Sequence, residues 1–210
     1  MRRCVILAAG LVEEPALLLP LLREDDWIVA ADGGVRLAEK LGVRPDLIVA
    51  DFDSGSREEA ERLGVRLHIL PQEKDTTDTQ VAAAEAFELG YRSFLLLGCT
   101  GGRLDHMMGA LCVMQWIARR GGHAVLADEH NRLMLVGPGE WEIAPHPGWK
   151  LSLLAYGGPV SGVTLRQVRY PLTEATLTTD NPIGVSNEFE EKPAKIRFRS
   201  GFLQIFLSRD

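Results

Sequence analysis

The sequence predicts an α/β protein in two parts: an N-terminal, mainly parallel sheet with flanking helices, and a C-terminal all-β sandwich domain. Up to about residue 128, short continuous apolar runs alternate with helical patterns, which is typical of parallel strands buried on both faces. Beyond that point turn residues and short strand patterns take over, and seven of the eleven prolines lie there. We therefore expect the first domain to span residues 1–128 and the second 129–210.

Apolar runs of four to six residues predict the strands of the first domain. They are Val5–Ala9, Trp27–Ala31, Leu47–Ala50, Val65–Leu70, Phe94–Leu97 and Ala124–Ala127. Leu-Gly pairs at Gly42, Gly64 and Gly90 predict the ends of three helices, because glycine adopts the left-handed conformation without a Cβ penalty. A further helix is expected from about Asp105 to Arg119. Its predicted buried face is formed by Leu104, Met107, Met108 and Leu111.

Shorter strand patterns separated by turn residues predict the second domain. The expected strands are Leu133–Val136, Lys150–Tyr156, Val163–Tyr170, Ile183–Phe189, Ala194–Arg199 and Phe202–Ser208. The expected turns are Gly137-Pro138-Gly139, His146-Pro147-Gly148, Gly157-Gly158-Pro159 and Ser200-Gly201. Several short strands with such turn chemistry between them are typical of a β-sandwich.

The composition argues against several functional classes. Of the 210 residues, 46% are hydrophobic and 25% charged, and the net charge of −6 comes without any Lys/Arg-rich run, so we expect no nucleic-acid partner. The longest apolar stretch, Pro15–Leu22, has eight residues and is too short to span a bilayer, so we expect no membrane partner. Cys4, Cys99 and Cys112 are widely spaced and odd in number, so we expect no disulfide framework. Free cysteines are typical of a reducing compartment, and we therefore expect a cytoplasmic location.

A pair of carboxylates follows the third predicted strand, at the strand end where parallel sheets bind ligands. Asp51 and Asp53 are two residues apart, so both side chains point the same way if the strand conformation continues. Carboxylates about 4 Å apart repel by roughly 4 kcal/mol at an effective dielectric constant of about 20. A divalent cation relieves this repulsion, and Mg²⁺ is usually shared with substrate phosphates. The alternative is an acidic turn that caps the next helix.

Further polar segments follow the second and fourth predicted strands. Asp32-Gly33-Gly34 either contacts a nucleotide or turns the chain. Lys74, Asp75 and Asp78 precede a helix. Capping by Asp78, assisted by Thr77 or Asp75, accounts for one or two of these polar residues, whereas a functional site accounts for the lysine and both carboxylates together.

The fifth predicted strand leads through Thr100-Gly101-Gly102-Arg103 into a helix. Paired glycines let the backbone approach an anion at the helix N-terminus, and Arg103 adds a forked donor for phosphate. A tight turn is the alternative. Cys99 and His106 are not favoured as nucleophile and base, since the cysteine follows a buried strand. In the second domain, Ser186-Asn187 interrupts a strand pattern with hydrogen-bonding groups, for which a bulge or strand edge is the other explanation.

Together these segments resemble the thiamine pyrophosphokinase family. The resemblance spans nearly the whole chain and is carried by Ala31-Asp32-Gly33-Gly34, Pro45-Asp46, Asp51-Phe52-Asp53-Ser54, Lys74-Asp75-x-x-Asp78, Gly101-Gly102-Arg103-x-Asp105-His106, Tyr170-Pro171-Leu172 and Ser186-Asn187-Glu188-Phe189. The sequence departs from the family pattern at Ala50, where glycine usually precedes the Asp pair.

The resemblance implies that a diphosphate group passes from ATP to the hydroxyl of thiamine, giving thiamine diphosphate and AMP. It also implies Mg²⁺ and a homodimer with active sites between subunits. The catalytic acidic cluster would consist of Asp51, Asp53, Asp75, Asp78 and Asp105, with Asp51, Asp53 and Asp78 as metal ligands. The expected nucleotide-binding residues are Asp32, Gly33, Gly34, Lys74, Thr100, Gly101, Gly102 and Arg103. The expected thiamine-binding residues are Ser186 and Asn187.

Two other functions deserve comparison with this one. A haloacid-dehalogenase-like phosphatase also has an Asp pair after an apolar strand, but its nucleophilic Asp generally follows the first strand, whereas Asp51 follows the third predicted strand. A non-catalytic nucleotide-sensing module would use the β domain to engage a partner. Five clustered Asp residues are needlessly costly for that role, since like charges repel.

Overall fold

A computed structural model describes residues 2–51, 64–71 and 75–210. The chain divides into two compact units, Met1–Glu129 and His130–Asp210. The first unit contains strands and helices, whereas the described elements of the second are strands. The expected fold class is confirmed: a parallel sheet with flanking helices is followed by a β-rich part.

Six parallel strands form the sheet of the first unit. They are β1 (Arg3–Leu7), β2 (Trp27–Ala31), β3 (Leu47–Ala50), β4 (Arg66–Ile69), β5 (Ser93–Leu97) and β6 (His123–Ala127). Their order across the sheet is β4-β3-β2-β1-β5-β6. The described helices are α1 (Gly34–Leu41), α2 (Asp78–Glu88) and α3 (Leu104–Arg119). None of these helices has the length and hydrophobicity that crossing a bilayer requires.

Both faces of this sheet are covered by helices, as the continuous apolar strands predicted. Val5 and Leu7 of β1 belong to a buried cluster that includes Leu37 of α1. On the opposite face, Phe94 of β5 stacks on Phe87 of α2 with ring centroids 5.3 Å apart. Because side chains alternate along a strand, one strand supplies apolar groups to both layers of helices.

The helix ends follow the glycine pattern. Gly42 and Gly90 lie just past α1 and α2 and adopt left-handed φ angles of 67° and 86°, as predicted. Gly64 has a φ of 59°, but the helix expected before it lies outside the described residues.

The buried face predicted for α3 is wrong in its first half. Leu104 and Met108 are 73% and 49% exposed, and the buried residues of the helix are Ala110, Leu111, Val113, Met114 and Ile117. The first turn lies before the buried part of the helix and contributes Asp105 and His106 to the lining of a cleft. Burial therefore begins one turn later than the sequence spacing suggests.

The second unit is built from antiparallel strands. They are β7 (Asn131–Val136), β8 (Gly139–Ile143), β9 (Lys150–Arg166), β10 (Leu172–Leu177), β11 (Asn187–Glu188), β12 (Ala194–Phe198) and β13 (Ser200–Ser208). One sheet joins β7, β13, the first half of β9 and β11. The other joins β10, the second half of β9, β12 and β8. A shared buried cluster contains Leu203 and Ile205 from the first sheet and Leu165 and Ile196 from the second, which is the arrangement of a sandwich.

Strand β9 continues through a predicted turn. The expected break at Gly157-Gly158-Pro159 is instead an irregularity inside one 17-residue strand, where Gly157 has a φ of 69°. The glycines let the chain bend without ending the strand, so β9 passes from one sheet to the other.

The strand expected at Ile183–Phe189 is reduced to Asn187–Glu188. A Cβ on Gly184 would lie 2.2 Å from the carbonyl oxygen of Leu153. Leu153 donates its backbone N–H to the carbonyl oxygen of Gly184 at 2.8 Å. The chain thus crosses close over β9 at this glycine and pairs as a strand only afterwards.

Candidate functional site

A cleft of about 520 Å³ lies at the carboxyl ends of β1, β2 and β5. From β1 the chain builds β2, β3 and β4 on one side of the sheet and then returns to place β5 on the other. The loops after β1 and β5 diverge at this topological switch point, where open α/β sheets bind their ligands. The first turns of α2 and α3 complete the lining of the cleft.

The loops after β1 and β5 touch backbone to backbone. Gly10 donates its N–H to the carbonyl oxygen of Gly98 at 2.7 Å. A Cβ on Gly10 would lie 2.4 Å from the carbonyl oxygens of Gly98 and Thr100, so no other residue fits there without a shift. No site role was predicted for Gly10 or Gly98, although each directly follows a predicted apolar strand.

Three carboxylates converge beside the cleft. One oxygen from each of Asp32, Asp51 and Asp78 lies within 4.8 Å of the others. Asp32 directly follows β2, Asp51 follows β3 and Asp78 is the first residue of α2. Sequence reasoning placed Asp51 and Asp78 in an acidic cluster but assigned Asp32 to the nucleotide. Hard oxygen donors of this kind are what Mg²⁺ takes, so the donor set fits that ion.

Asp32 adopts an unusual backbone conformation. Its φ of 48° lies in the left-handed region, which aspartate tolerates better than most residues. Its backbone N–H donates to the carbonyl oxygen of Val49 on the neighbouring strand at 2.8 Å. Strain of this kind persists only where surrounding structure holds it, and it concentrates at functional sites.

A threonine, and not Asp78, caps helix α2. The Thr77 hydroxyl accepts the backbone N–H of Gln80 at 3.2 Å, whereas the alternative considered from the sequence was capping by Asp78 with Thr77 or Asp75 assisting. The reason is register: the N-cap side chain reaches the N–H three residues on, and that places the cap at Thr77. Asp78 therefore belongs to the first turn, where the helix dipole favours a negative charge.

The turn after β5 presents open backbone and a charged pair. A Cβ on Gly102, whose φ is 80°, would meet nothing within 4 Å. Arg103 donates from Nε and Nη2 to the two carboxylate oxygens of Asp105, at 3.1 Å and 2.5 Å. This pair lowers the pKa of Asp105, first through the side-chain hydrogen bond from Arg103, and it raises the pKa of Arg103. Both side chains are mostly exposed and line the cleft.

The remaining residues of the predicted first-domain site have different positions. Asp75 is exposed, and Gly34 is buried at the start of α1, where a Cβ would lie 1.9 Å from the carbonyl oxygen of Leu7. Gly34 thus has a packing reason of its own. Asp53 and Lys74 lie outside the described residues.

Cys99 is a poor nucleophile in this site. Burial raises the pKa of the Cys99 thiol to about 12, so it stays protonated at neutral pH. His106 is exposed on the rim of the cleft. The structure thus agrees with setting this pair aside as nucleophile and base.

The second unit holds the predicted thiamine-binding residues. Ser186 is exposed with a φ of 61°, and its backbone N–H donates to the Ser152 hydroxyl at 3.0 Å. Asn187 is 5% exposed and uses its amide on the backbone of Tyr170. The Ser-Asn and Tyr-Pro-Leu segments, far apart in sequence, are thereby joined.

A charged network continues from this motif. Glu188 accepts Lys150 Nζ at 2.8 Å and Arg169 Nη1 at 2.7 Å. The hydrogen bond from Lys150, followed by that from Arg169, lowers the pKa of Glu188 to about 2. Glu188 therefore stays ionised at physiological pH and ties β11 to β9.

Each of the two units matches the model of a known domain family. The family model for the catalytic domain of thiamin pyrophosphokinase matches residues 18–126, and the model for its vitamin B1 binding domain matches residues 142–203. Thiamine pyrophosphokinase of Bacillus subtilis (strain 168) is 28% identical over 188 residues, which cover 88% of this chain and 87% of the relative.

Solved structures give the same result. The crystal structure of thiamine pyrophosphokinase from Bacillus subtilis superposes with a TM-score of 0.90 at 25% identity, covering 100% of both chains. That of a thiamin pyrophosphokinase family protein from Enterococcus faecalis has a TM-score of 0.82 at 30% identity, again covering 100% of both. Since the two family models together span most of the sequence and each falls in a separate unit, the chain belongs to the thiamine pyrophosphokinase family.

Proposed function

We propose that this enzyme transfers a diphosphate group from ATP to the hydroxyl of thiamine, giving thiamine diphosphate and AMP. The observation that carries the proposal is the convergence of Asp32, Asp51 and Asp78 beside a glycine-rich turn in a cleft at the switch point of the sheet. This cleft lies within the region matched by the catalytic-domain model. The phosphatase and the nucleotide-sensing module have no comparable support.

We assign Mg²⁺ to the acidic cluster. Asp32, Asp51 and Asp78 would hold it, and Asp53, which the resemblance adds, lies outside the described residues. When bound, Mg²⁺ neutralises charge on the phosphates and orients them. A cation held between the three carboxylates would also reduce their mutual repulsion.

The turn from Thr100 to Arg103 is the proposed cradle for the triphosphate. Gly102 leaves its backbone accessible, and the N-terminus of the 16-residue helix α3 follows directly with its partial positive charge. Arg103 would exchange its bidentate contact with Asp105 for a phosphate group. Asp105 would then lose the partner that lowers its pKa and become a better proton acceptor. It stands beside Asp75 and Asp78 as a candidate to accept the hydroxyl proton.

The second unit is the proposed thiamine-binding part. Residues 1–128 would form the nucleotide-binding catalytic domain and 129–210 the thiamine-binding domain, with Ser186 and Asn187 at the thiamine site. Support comes from the match of residues 142–203 to the vitamin B1 binding model.

A homodimer with active sites between subunits is the proposed assembly. Mixing an Asp51→Asn chain with a chain carrying Ser186→Ala and Asn187→Ala should restore part of the activity if two chains share each site. No recovery in heterodimers shown to form would contradict shared sites. A cytoplasmic location is also proposed, in keeping with the buried thiols of Cys4 and Cys99.

The product of the reaction tests the proposed function. We expect ATP consumption that depends on both thiamine and Mg²⁺, with thiamine diphosphate and AMP identified by mass spectrometry. The Asp51→Asn variant serves as the matched negative control. Consumption of ATP without any thiamine product would contradict the proposal.

A further inference from the structure

Glu129 is a buried carboxylate that the proposed reaction does not use. It lies two residues beyond the end of β6 and is 9% exposed. Its Oε1 accepts the backbone N–H of Glu13 at 2.8 Å and that of Glu14 at 3.1 Å. These partners are 116 and 115 residues away in sequence, so the carboxylate joins two distant parts of the first unit.

The segment that Glu129 holds forms one wall of the cleft. Residues 8–11 line the cleft directly after β1. On the β5 side, Ala8 donates its N–H to the carbonyl oxygen of Leu97 at 2.8 Å, and Gly10 is bonded to Gly98. Further along, a Cβ on Gly101 would lie 2.8 Å from the carbonyl oxygen of Leu11, so the wall and the glycine-rich turn are in backbone contact.

Beyond Leu11 the segment is held in a second way. Val12 is 4% exposed and belongs to the same buried cluster as Leu97 and Ala127. The Val12 side chain packs into this cluster. Glu129 instead fixes the direction of the backbone, because the N–H groups of Glu13 and Glu14 must both point at its Oε1. Strands β1, β5 and β6 are neighbours in that order. The segment after β1 therefore runs across the carboxyl ends of these strands, bonded first to the end of β5 and then to Glu129 beyond β6.

We propose that Glu129 is a positioning residue for the nucleotide cleft, an inference that rests on the proposed function. Its carboxylate holds residues 8–14 against the turn at Gly98–Gly102, so that the wall facing the triphosphate is formed before ATP arrives. Preorganisation of this kind strengthens binding by reducing the ordering that binding requires. Loss of Glu129 therefore weakens nucleotide binding more than it slows the chemical step.

Three variants of Glu129 and one control separate the position of its carboxylate oxygen from its charge. Glu129→Ala removes the acceptor, and Glu129→Asp keeps the charge but withdraws the oxygen by one methylene. Glu129→Gln keeps a side-chain oxygen at the same reach without the charge. Glu14→Gln is the matched control, because it removes an exposed carboxylate at the same place and leaves the acceptor intact.

Binding and hydrogen exchange are measured on the full chain. Calorimetric titration with ATP and Mg²⁺, without thiamine, should show affinity about tenfold weaker for Glu129→Ala and Glu129→Asp, which corresponds to about 1.4 kcal/mol. Glu129→Gln and Glu14→Gln should stay within about twofold of the unaltered chain. Amide exchange of the peptide covering residues 8–14 should accelerate in the same two variants only. In turnover, KM for ATP should rise while kcat changes little.

The outcomes separate the two proposals. A purely structural role would lower the fraction of chains that bind and leave the affinity unchanged, which overturns the positioning role. Unchanged exchange at residues 8–14 in both the Ala and Asp variants overturns it as well. If Glu129→Ala does not fold, the difference between the Asp and Gln variants decides the question. Failure of the unaltered chain to bind ATP would instead overturn the proposed function of the cleft.

Discussion

The side-chain amide of Asn187 bonds to both backbone groups of Tyr170. Its Oδ1 accepts the Tyr170 N–H at 3.0 Å, and its Nδ2 donates to the Tyr170 carbonyl oxygen at 2.7 Å. Oδ1 also accepts the N–H of Glu188 at 2.9 Å. Since this amide bonds to the chain itself, we propose that the exposed Ser186 contacts thiamine and that Asn187 holds the segment in place.

The two residues should respond differently to mutation. Asn187→Ala removes the side-chain partner of both backbone groups of Tyr170 and of the Glu188 N–H, and should lower the free energy of unfolding by about 1–3 kcal/mol. Ser186→Ala should change it by less than about 0.5 kcal/mol, as is usual at the surface, and should raise KM for thiamine. Thermal unfolding and steady-state kinetics measure the two effects. Equal loss of stability in both variants would contradict this division of roles.

The acidic cluster should be needed for turnover but not for folding. Asp32→Asn, Asp51→Asn and Asp78→Asn should each lower turnover on the order of 100-fold, since a metal supplies several kcal/mol of charge stabilisation and each factor of ten is about 1.4 kcal/mol. Asparagine also tolerates the left-handed backbone of Asp32. The Mg²⁺ concentration for half-maximal activity should rise.

Stability in the absence of Mg²⁺ gives an independent measure of the same cluster. Removing one charge relieves repulsion, so Asp32→Asn and Asp51→Asn should unfold at the same or a higher temperature than the unaltered chain, whereas Asp78→Asn also loses a favourable charge at the N-terminus of α2. The exposed Asp25 provides the matched control, Asp25→Asn, which should change neither turnover nor the Mg²⁺ requirement. Turnover of the cluster variants at the level of the unaltered chain under limiting Mg²⁺ would refute the metal assignment.

Two glycines of similar conformation separate backbone strain from phosphate binding. Gly102 and Gly121 have φ angles of 80° and 75°, and at both a Cβ would meet nothing within 4 Å. Alanine at either position should cost about 1–2 kcal/mol of stability because of the left-handed backbone. Only Gly102→Ala should also raise KM for ATP, since only Gly102 lines the cleft. A rise of the same size in Gly121→Ala would mean that strain alone explains the effect.

Glu188 should contribute to the pH dependence of stability. Lys150 and Arg169 lower its pKa from 4.5 to about 2, so its stabilising effect is complete above the unfolded value and is lost as the pH falls from about 4.5 towards 2. As the pH falls through this range, the melting temperature of Glu188→Gln should therefore decrease less than that of the unaltered chain. The difference should shrink in high salt because the carboxylate is partly exposed. Glu190→Gln, at an exposed neighbour, is the control, and parallel pH curves for all three proteins would contradict the role of Glu188.

The parallel sheet was predictable because its strands are buried on both faces and read as continuous apolar runs. All six runs, from Val5–Ala9 to Ala124–Ala127, fall on observed strands. Strands β8 and β10 were not predicted, since the alternation of Glu140, Trp141, Glu142 and Ile143 in β8 is too short and polar to stand out. The continuity of β9 was not predictable for another reason: a Gly-Gly pair such as Gly157-Gly158 is compatible both with a turn between strands and with a bend inside one strand.

The sequence predicted individual residues of the site better than it predicted which of them lie close together. Strand ends pointed to Asp51 and the turn at Gly101 and Gly102, because ligands bind there. That Asp32 joins Asp51 depends on β2 and β3 being neighbours, and this pairing is not written in either segment. Glu129 gave no local signal, since its partners are more than 100 residues away.

The identity of the attacked phosphorus tests the central claim most directly. The chain lacks the GxxxxGK[ST] loop that cradles the β- and γ-phosphates for γ-transfer, and its carboxylates come from separate elements along the cleft. With ATP labelled at the β-phosphorus, we predict that the label and the γ-phosphate both pass to thiamine and that one AMP forms per product. Stoichiometric ADP with thiamine monophosphate would contradict the account, even if ATP occupies the assigned cleft.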